Sequence, residues 1–233
     1  MATIKLDGRT IEILKNFSTI NSNFYCSGGN TLQTISVLKN ILSKAEVDVD
    51  FPEFGIYDLS GFLGALSTIK NSLEISFEPK KVVMSGFDSL GNPSVTKWDL
   101  ASKEILTSTG IKDLDLPDPC ATLSLSAARI KSILATSNTL GVEDIVFRCD
   151  GESVEIGVFD KTGLSGAENF TTIDGADSSI DFEFYFLKEN LKLLPMDYEI
   201  AFSENGVAHF KGSNSVEYWI AMEADSTHGT KTT

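Results

Sequence analysis

Few residues of this 233-residue chain are of a type and spacing that could support covalent chemistry. Only two histidines occur. His228 sits in the polar stretch DSTHGTKTT, and His209 lies in VAHFKG at an alternating strand position, where a structural role is the better reading. Asp48 and Asp50 alternate along a strand and so share a face; that pattern can hold magnesium, but a solvated outer face is the commoner outcome. Asp113, Asp115 and Asp118 read as a soluble linker rather than a metal cage. The Gly163 to Gly166 stretch lacks the strand-to-helix setting that phosphate binding needs. G-x-S-x-G, H-E-x-x-H, P-loop and G-x-G-x-x-G patterns are absent. Cys26, Cys120 and Cys149 are odd in number, scattered and without a C-x-x-C pair, so they read as reduced thiols and suggest neither a disulfide framework nor a zinc site. The expectation is a protein that is not an enzyme and uses no metal or cofactor.

The remaining chemistry is that of charge. The formal net charge is −14, from 33 acids against 19 bases. Taken as a sum, that argues against nucleic acid as a partner. The distribution argues otherwise. The helices predicted at 9–21, 60–71, 124–138 and 187–194 hold the bases Arg9, Lys15, Lys70, Arg129, Lys131, Lys188 and Lys192, against only Glu12 and Glu189. Helix surfaces that carry Lys and Arg merely as good helix formers would carry comparable Glu. A helix layer of one sign on an acidic β body suits a protein that encloses DNA: phosphates meet the helices, and the acidic exterior repels non-specific contacts.

The elements that must position these cations recur twice. ATIKLD (Ala2 to Asp7) resembles ATLSLS (Ala121 to Ser126), and IYDLSGFL (Ile56 to Leu63) resembles FYFLKENL (Phe184 to Leu191). LEISFE (Leu73 to Glu78) resembles YEIAFS (Tyr198 to Ser203), and SVTKW (Ser94 to Trp98) resembles SVEYW (Ser215 to Trp219). Four matches in one order indicate duplication. Each copy reads strand, helix, strands, helix, strands. The first helix has Ile11, Leu14, Phe17 and Ile20 at helical spacing; its counterpart has Ile130, Ile133 and Leu134 behind Ser126 as N-cap. Alternating strands such as Ala45 to Phe51 and Asp144 to Asp150 follow, with turns expected at Ser27-Gly28-Gly29-Asn30 and Asp150-Gly151. Pro195 stops the last helix. DLDLPDPCA (Asp113 to Ala121) reads as an extended linker, giving two similar domains, 1–117 and 118–233. No apolar run approaches a membrane span, and MATIKLDG lacks a signal-peptide core.

Three segments carry a resemblance that spans nearly the whole chain: RTIEILKNFSTINSNF near the start, IYDLSGFLGALS in the middle and YWIAMEADSTH near the end. They are similar to the sliding clamps of T-even-type bacteriophages, which are DNA polymerase processivity factors. The resemblance implies an α+β clamp fold, with two similar domains per chain, each with two helices packed on antiparallel sheets, and a homotrimeric ring of six domains around duplex DNA. Its implied partners are double-stranded DNA, the replicative polymerase, a clamp loader and late transcription factors, in the cytoplasm of an infected bacterium. It also implies a peptide pocket bounded by Leu114, Leu116, Pro117, Ala221, Met222 and Ala224, and a subunit joint between a strand at about Lys103 to Ser108 and one near Glu168 to Ile173. Trp98 and Trp219 would be equivalent core residues facing the helices. The rival reading is an acidic β-rich structural or scaffold protein of a virion, which explains the strands and the duplication but not the basic helices.

Overall fold

The computed structural model describes residues 2–109, 116, 119–150, 153–173, 175, 177, 178 and 180–230. The chain forms two compact units, Met1–Lys112 and Asp113–Thr233.

Unit 1 runs β1 (Ala2–Ile4), α1 (Gly8–Ile20), β2 (Phe24–Ile35), β3 (Ile41–Ile56), α2 (Leu59–Leu66), β4 (Asn71–Glu78), β5 (Lys81–Phe87) and β6 (Pro93–Asp99), then a 3-10 turn at Lys103–Ile105. Strands β1, β4, β5 and β6 form an antiparallel sheet in that order, and β2 pairs with β3 as a long hairpin. Ser27 to Asn30 is not a turn. The strand continues through it with a register shift between Gly29 and Thr31, and Gly28 and Gly29 hold φ of 91° and 92°, a conformation that penalises a Cβ. The reversal comes later, at Ser36 to Asn40, where the Ser36 hydroxyl accepts from the backbone N–H of Asn40 and Ile41 at 3.1 and 3.0 Å. A phenylalanine cluster fills this unit: Phe54 stands 4.9 Å from Phe77 and 5.9 Å from Phe24 between ring centroids.

Unit 2 runs β7 (Ala121–Leu125), α3 (Ala127–Leu140), β8 (Asp144–Cys149), β9 (Val154–Phe159), β10 (Glu168–Ile173), β11 (Asp177–Ser178) and β12 (Ile180–Leu187). It continues through a 3-10 turn at Lys188–Asn190 to β13 (Tyr198–Ser203), β14 (Val207–Gly212), β15 (Val216–Ala221) and β16 (Thr227–Thr230). One sheet has the order β10-β9-β8-β12-β16, and the other contains β11-β7-β13-β14-β15. Phe202 lies at the centre of the core, with Phe147 at 5.1 Å and Phe184 at 5.3 Å.

The duplication is visible in the ladders. The order β1-β4-β5-β6 repeats as β7-β13-β14-β15. Ala2 opposes Phe77 as Ala121 opposes Phe202, so the first and third sequence blocks match to the residue. The tryptophan block does not. Val82 opposes Trp98, and its counterpart Ala208 opposes Ile220, so Trp98 corresponds in space to Ile220 and Trp219 to Lys97. A one-residue slip turns a side chain to the other face of a strand. Trp98 therefore packs toward α2, 6.1 Å from Phe62, while Trp219 lies flat on His209 at 4.5 Å. Trp219 is buried, 6% exposed, and belongs to the core, so its core role stands; what is corrected is that the two tryptophans are equivalent and that Trp219 faces the helices as Trp98 does.

Two further expectations change. The helix placed at 187–194 is one 3-10 turn, so α3 is the single α-helix among the described residues of unit 2. Leu187 at the turn's N-cap position makes no side-chain cap bond, and Pro195 closes the segment before a second turn can form. Its counterpart α2 is capped by Asp58, whose carboxylate accepts from Gly61 N–H at 2.9 Å. The strand expected at Lys103 to Ser108 is a 3-10 turn over Lys103–Ile105. Leu106 then turns its side chain into unit 1, where a Cβ on Gly55 would collide with it and with the Ala101 carbonyl.

Candidate nucleic-acid interface

Helix α1 is fixed at its start by Asp7, whose carboxylate accepts from Thr10 N–H at 2.6 Å. That backbone bond, with the Thr10 hydroxyl and the nearby Arg9 charge, holds the carboxyl below the usual range against the small opposing effect of burial. Its apolar face, Ile13, Leu14, Phe17 and Ile20, is buried, which leaves Glu12 and Lys15 exposed on the other side. Helix α3 is capped by Ser126, whose hydroxyl accepts from Arg129 N–H at 3.3 Å, and by Asp197, which accepts from Ala127 N–H at 2.8 Å. It ends at Gly141 with φ of 67°, the left-handed cap that glycine favours. Ile130 and Ile133 face the core, and Lys131, Ser132, Ala135, Asn138 and Thr139 face outward. Among the described residues the α-helices α1, α2 and α3 carry Arg9, Lys15, Arg129 and Lys131 against the single acid Glu12.

The seven expected DNA-facing cations fall into three groups. Lys15 and Lys131 project, exposed, from the outward faces of α1 and α3. Arg9 and Arg129 lie half-buried in the first turns of those helices, and Arg129 shares a recess of about 360 Å³ with Asp197 and Glu199. Lys70, Lys188 and Lys192 are not α-helical, and Lys188 opens the 3-10 turn. Helix α2 stops at Leu66, so exposed Lys70 stands in the turn before β4, its N–H donating to Phe87 O at 2.7 Å. Lys188 donates to Glu143 at 2.8 Å and to Asn138 of α3 at 3.2 Å, which places it beside α3 but spends its charge on an acid. Lys192 is half-buried. Sequence reasoning missed the Glu143 counter-charge because it lies outside the predicted helices, two residues past the Gly141 stop.

Of the expected peptide pocket, Leu114 and Pro117 lie outside the described residues. Leu116, Ala221 and Met222 are half-buried and Ala224 is exposed. Met222 and Ala224 line a recess of about 380 Å³ with Phe184, Glu204 and His228, more polar than an apolar peptide pocket would be. Elsewhere, His209 bonds Glu217 at 2.7 Å under the Trp219 ring, a structural arrangement. Asp48 and Asp50 are exposed on β3.

Two antiparallel-sheet units, each opened by a strand and a capped helix, define the class of a two-domain DNA clamp. The fold matches that of proliferating cellular nuclear antigen from Entamoeba histolytica with a TM-score of 0.69 at 16% identity, over 95% of this chain and 98% of that one. The family model described as "gp45 sliding clamp, C terminal" matches residues 122–224. The sliding clamp of Vibrio phage KVP40 is 32% identical over 95% of this chain and 100% of its own length. That of Escherichia phage RB69 is 29% identical over 97% and 99%, and that of Enterobacteria phage T4 is 28% identical over 97% and 99%. The chain belongs to the sliding clamp family of T4-type bacteriophages.

Proposed function

We infer that this chain is a sliding clamp that assembles as a homotrimeric ring, encircles duplex DNA and tethers the replicative polymerase for processive synthesis. The observation that carries this reading is the relationship to phage sliding clamps over nearly the full length of chain and relatives alike. The exposed Lys15 and Lys131 on α1 and α3 supply the phosphate contacts, with Arg9, Arg129, Lys70, Lys188 and Lys192 as weaker contributors. Such contacts position a duplex without reading its bases, as sliding requires. The repeats are taken as 1–117 and 118–233, each one third of a half-ring.

The subunit joint uses the outer edge of β10, the terminal strand of its sheet. Its neighbour is the extended segment 106–109 of the next chain, in place of the strand first expected there. A clamp loader and late transcription factors are further partners, and a short linear motif docks beside Leu114, Leu116, Pro117, Ala221, Met222 and Ala224. The setting is the cytoplasm of the infected host. Primer extension with a T4-type replicative polymerase and its loader tests the reading: added clamp should lengthen products per binding event. Product lengths unchanged by the clamp, with loader and polymerase shown active, would overturn it.

A further inference from the structure

Strand β16 is held differently from its neighbours. Its residues Thr227, His228 and Gly229 are exposed, so it adds a ladder to β12 while burying almost none of its own side chains. Strands owe much of their hold to side-chain packing across the pleat. Backbone bonds, each worth little net of water, stand here against the ordering entropy of the same few residues, and the two nearly cancel. A strand in that position opens locally well before the domain unfolds. Beneath it, Ile180 to Glu183 of β12 form a sheet edge that any extended segment can join.

The surrounding charge says which kind of segment fits. Asp181 stands directly opposite Gly229, and Glu183 opposite Thr227. Opposed residues share a face, so at Asp181 the strand β16 offers no side chain at all. The Oδ1 atom of Asp181 is buried and has no hydrogen-bond partner among the described residues. Asp181, Glu183, Glu155 and Arg148 line a recess of about 540 Å³. Arg148 is already engaged: its Nε donates to Glu155 at 2.8 Å, and its guanidinium carbon sits 3.4 Å from the centroid of the Phe170 ring. Among the described lining residues acids outnumber bases, and one carboxylate oxygen has no donor among the described residues. A Cβ built on Gly229 meets nothing within 4 Å, so a long side chain has room at that position.

We propose that β16 is an exchangeable strap over the β12 edge, and that an extended protein segment bearing Lys or Arg at the position of Gly229 replaces it, setting its cation on Asp181. The site does not rest on the helix cations; it adjoins the recess of Met222 and Ala224, which Phe184 of β12 and His228 of β16 also line. The probe is a fluorescein-labelled octapeptide of alternating valine and lysine, with a valine–glutamate peptide as control. A chain ending at Ser226 should bind the lysine peptide about two- to threefold more tightly than the full chain, since a strap near balance covers the edge for about half of the time or somewhat more. Asp181→Asn in the shortened chain should cut that affinity several-fold, and the glutamate peptide should bind neither form. In the full chain Gly229→Lys should slow hydrogen exchange across Ile180 to Glu183 and weaken peptide binding, a readout that does not need the truncation to fold. Equal affinity of the full and shortened chains overturns the proposal. So does equal binding of the two peptides, indifference to Asp181→Asn, or unchanged exchange in Gly229→Lys.

Discussion

Reversing Lys15 and Lys131 to Glu tests the phosphate-facing role of the helices. Both side chains are exposed on the outward faces of capped helices whose apolar faces carry the packing, so the reversals leave the core intact. Each phosphate neutralised contributes roughly 0.9 to the slope of log affinity against log salt, or about a 3.5-fold loss of affinity between 50 and 200 mM salt. A ring of three chains holds six such lysines. If half touch phosphate at any instant, the double reversal lowers the slope by about 3 and abolishes some 40-fold of salt-sensitive affinity. The control pair is Lys80 and Lys97. Lys97 alternates with Trp98, whose ring packs on Phe62 of α2, so it points away from the helix layer. Fluorescence anisotropy with a short duplex across a salt series measures both slopes. Equal slope changes from the inner and outer pairs would refute the assignment of the helix layer to the DNA path.

Leu116→Asp should weaken binding of a polymerase C-terminal peptide several-fold in calorimetry while the assembly state is unchanged; wild-type affinity would remove the linker from the docking site. Asp7→Ala should cost about 1 kcal/mol in urea unfolding at pH 7. Because the folded Asp7 carboxyl titrates below its unfolded value, that difference should persist at neutral pH and fade as pH falls through the acid range, and a constant difference down to pH 2 would contradict it. Trp98→Ala should cost about 2–3 kcal/mol, since the ring is half-buried against Phe62; a loss below 0.5 kcal/mol would deny its packing role.

The duplication was legible because the paired blocks are core strands: Ile75 and Phe77 recur as Ile200 and Phe202 at equivalent ladder positions. The tryptophan match misled because identity of letters carries no register, and the ladder aligns the two strands one residue off the letter match. The helix at 187–194 had apolar spacing but no capping side chain before it and Pro195 behind it, whereas the equally short α2 is capped by Asp58. Among the cations, Lys15 and Lys131 were readable from helical phase alone. The pairing of Lys188 with Glu143 depended on a contact between a 3-10 turn and a loop, which no local pattern encodes.

The most direct test of the central claim is electron microscopy of the purified full chain. The account predicts closed rings of three chains, each chain of 25.3 kDa, with six similar lobes around a central hole. Particles that are uniformly single chains, open filaments or rings of another subunit number would contradict it.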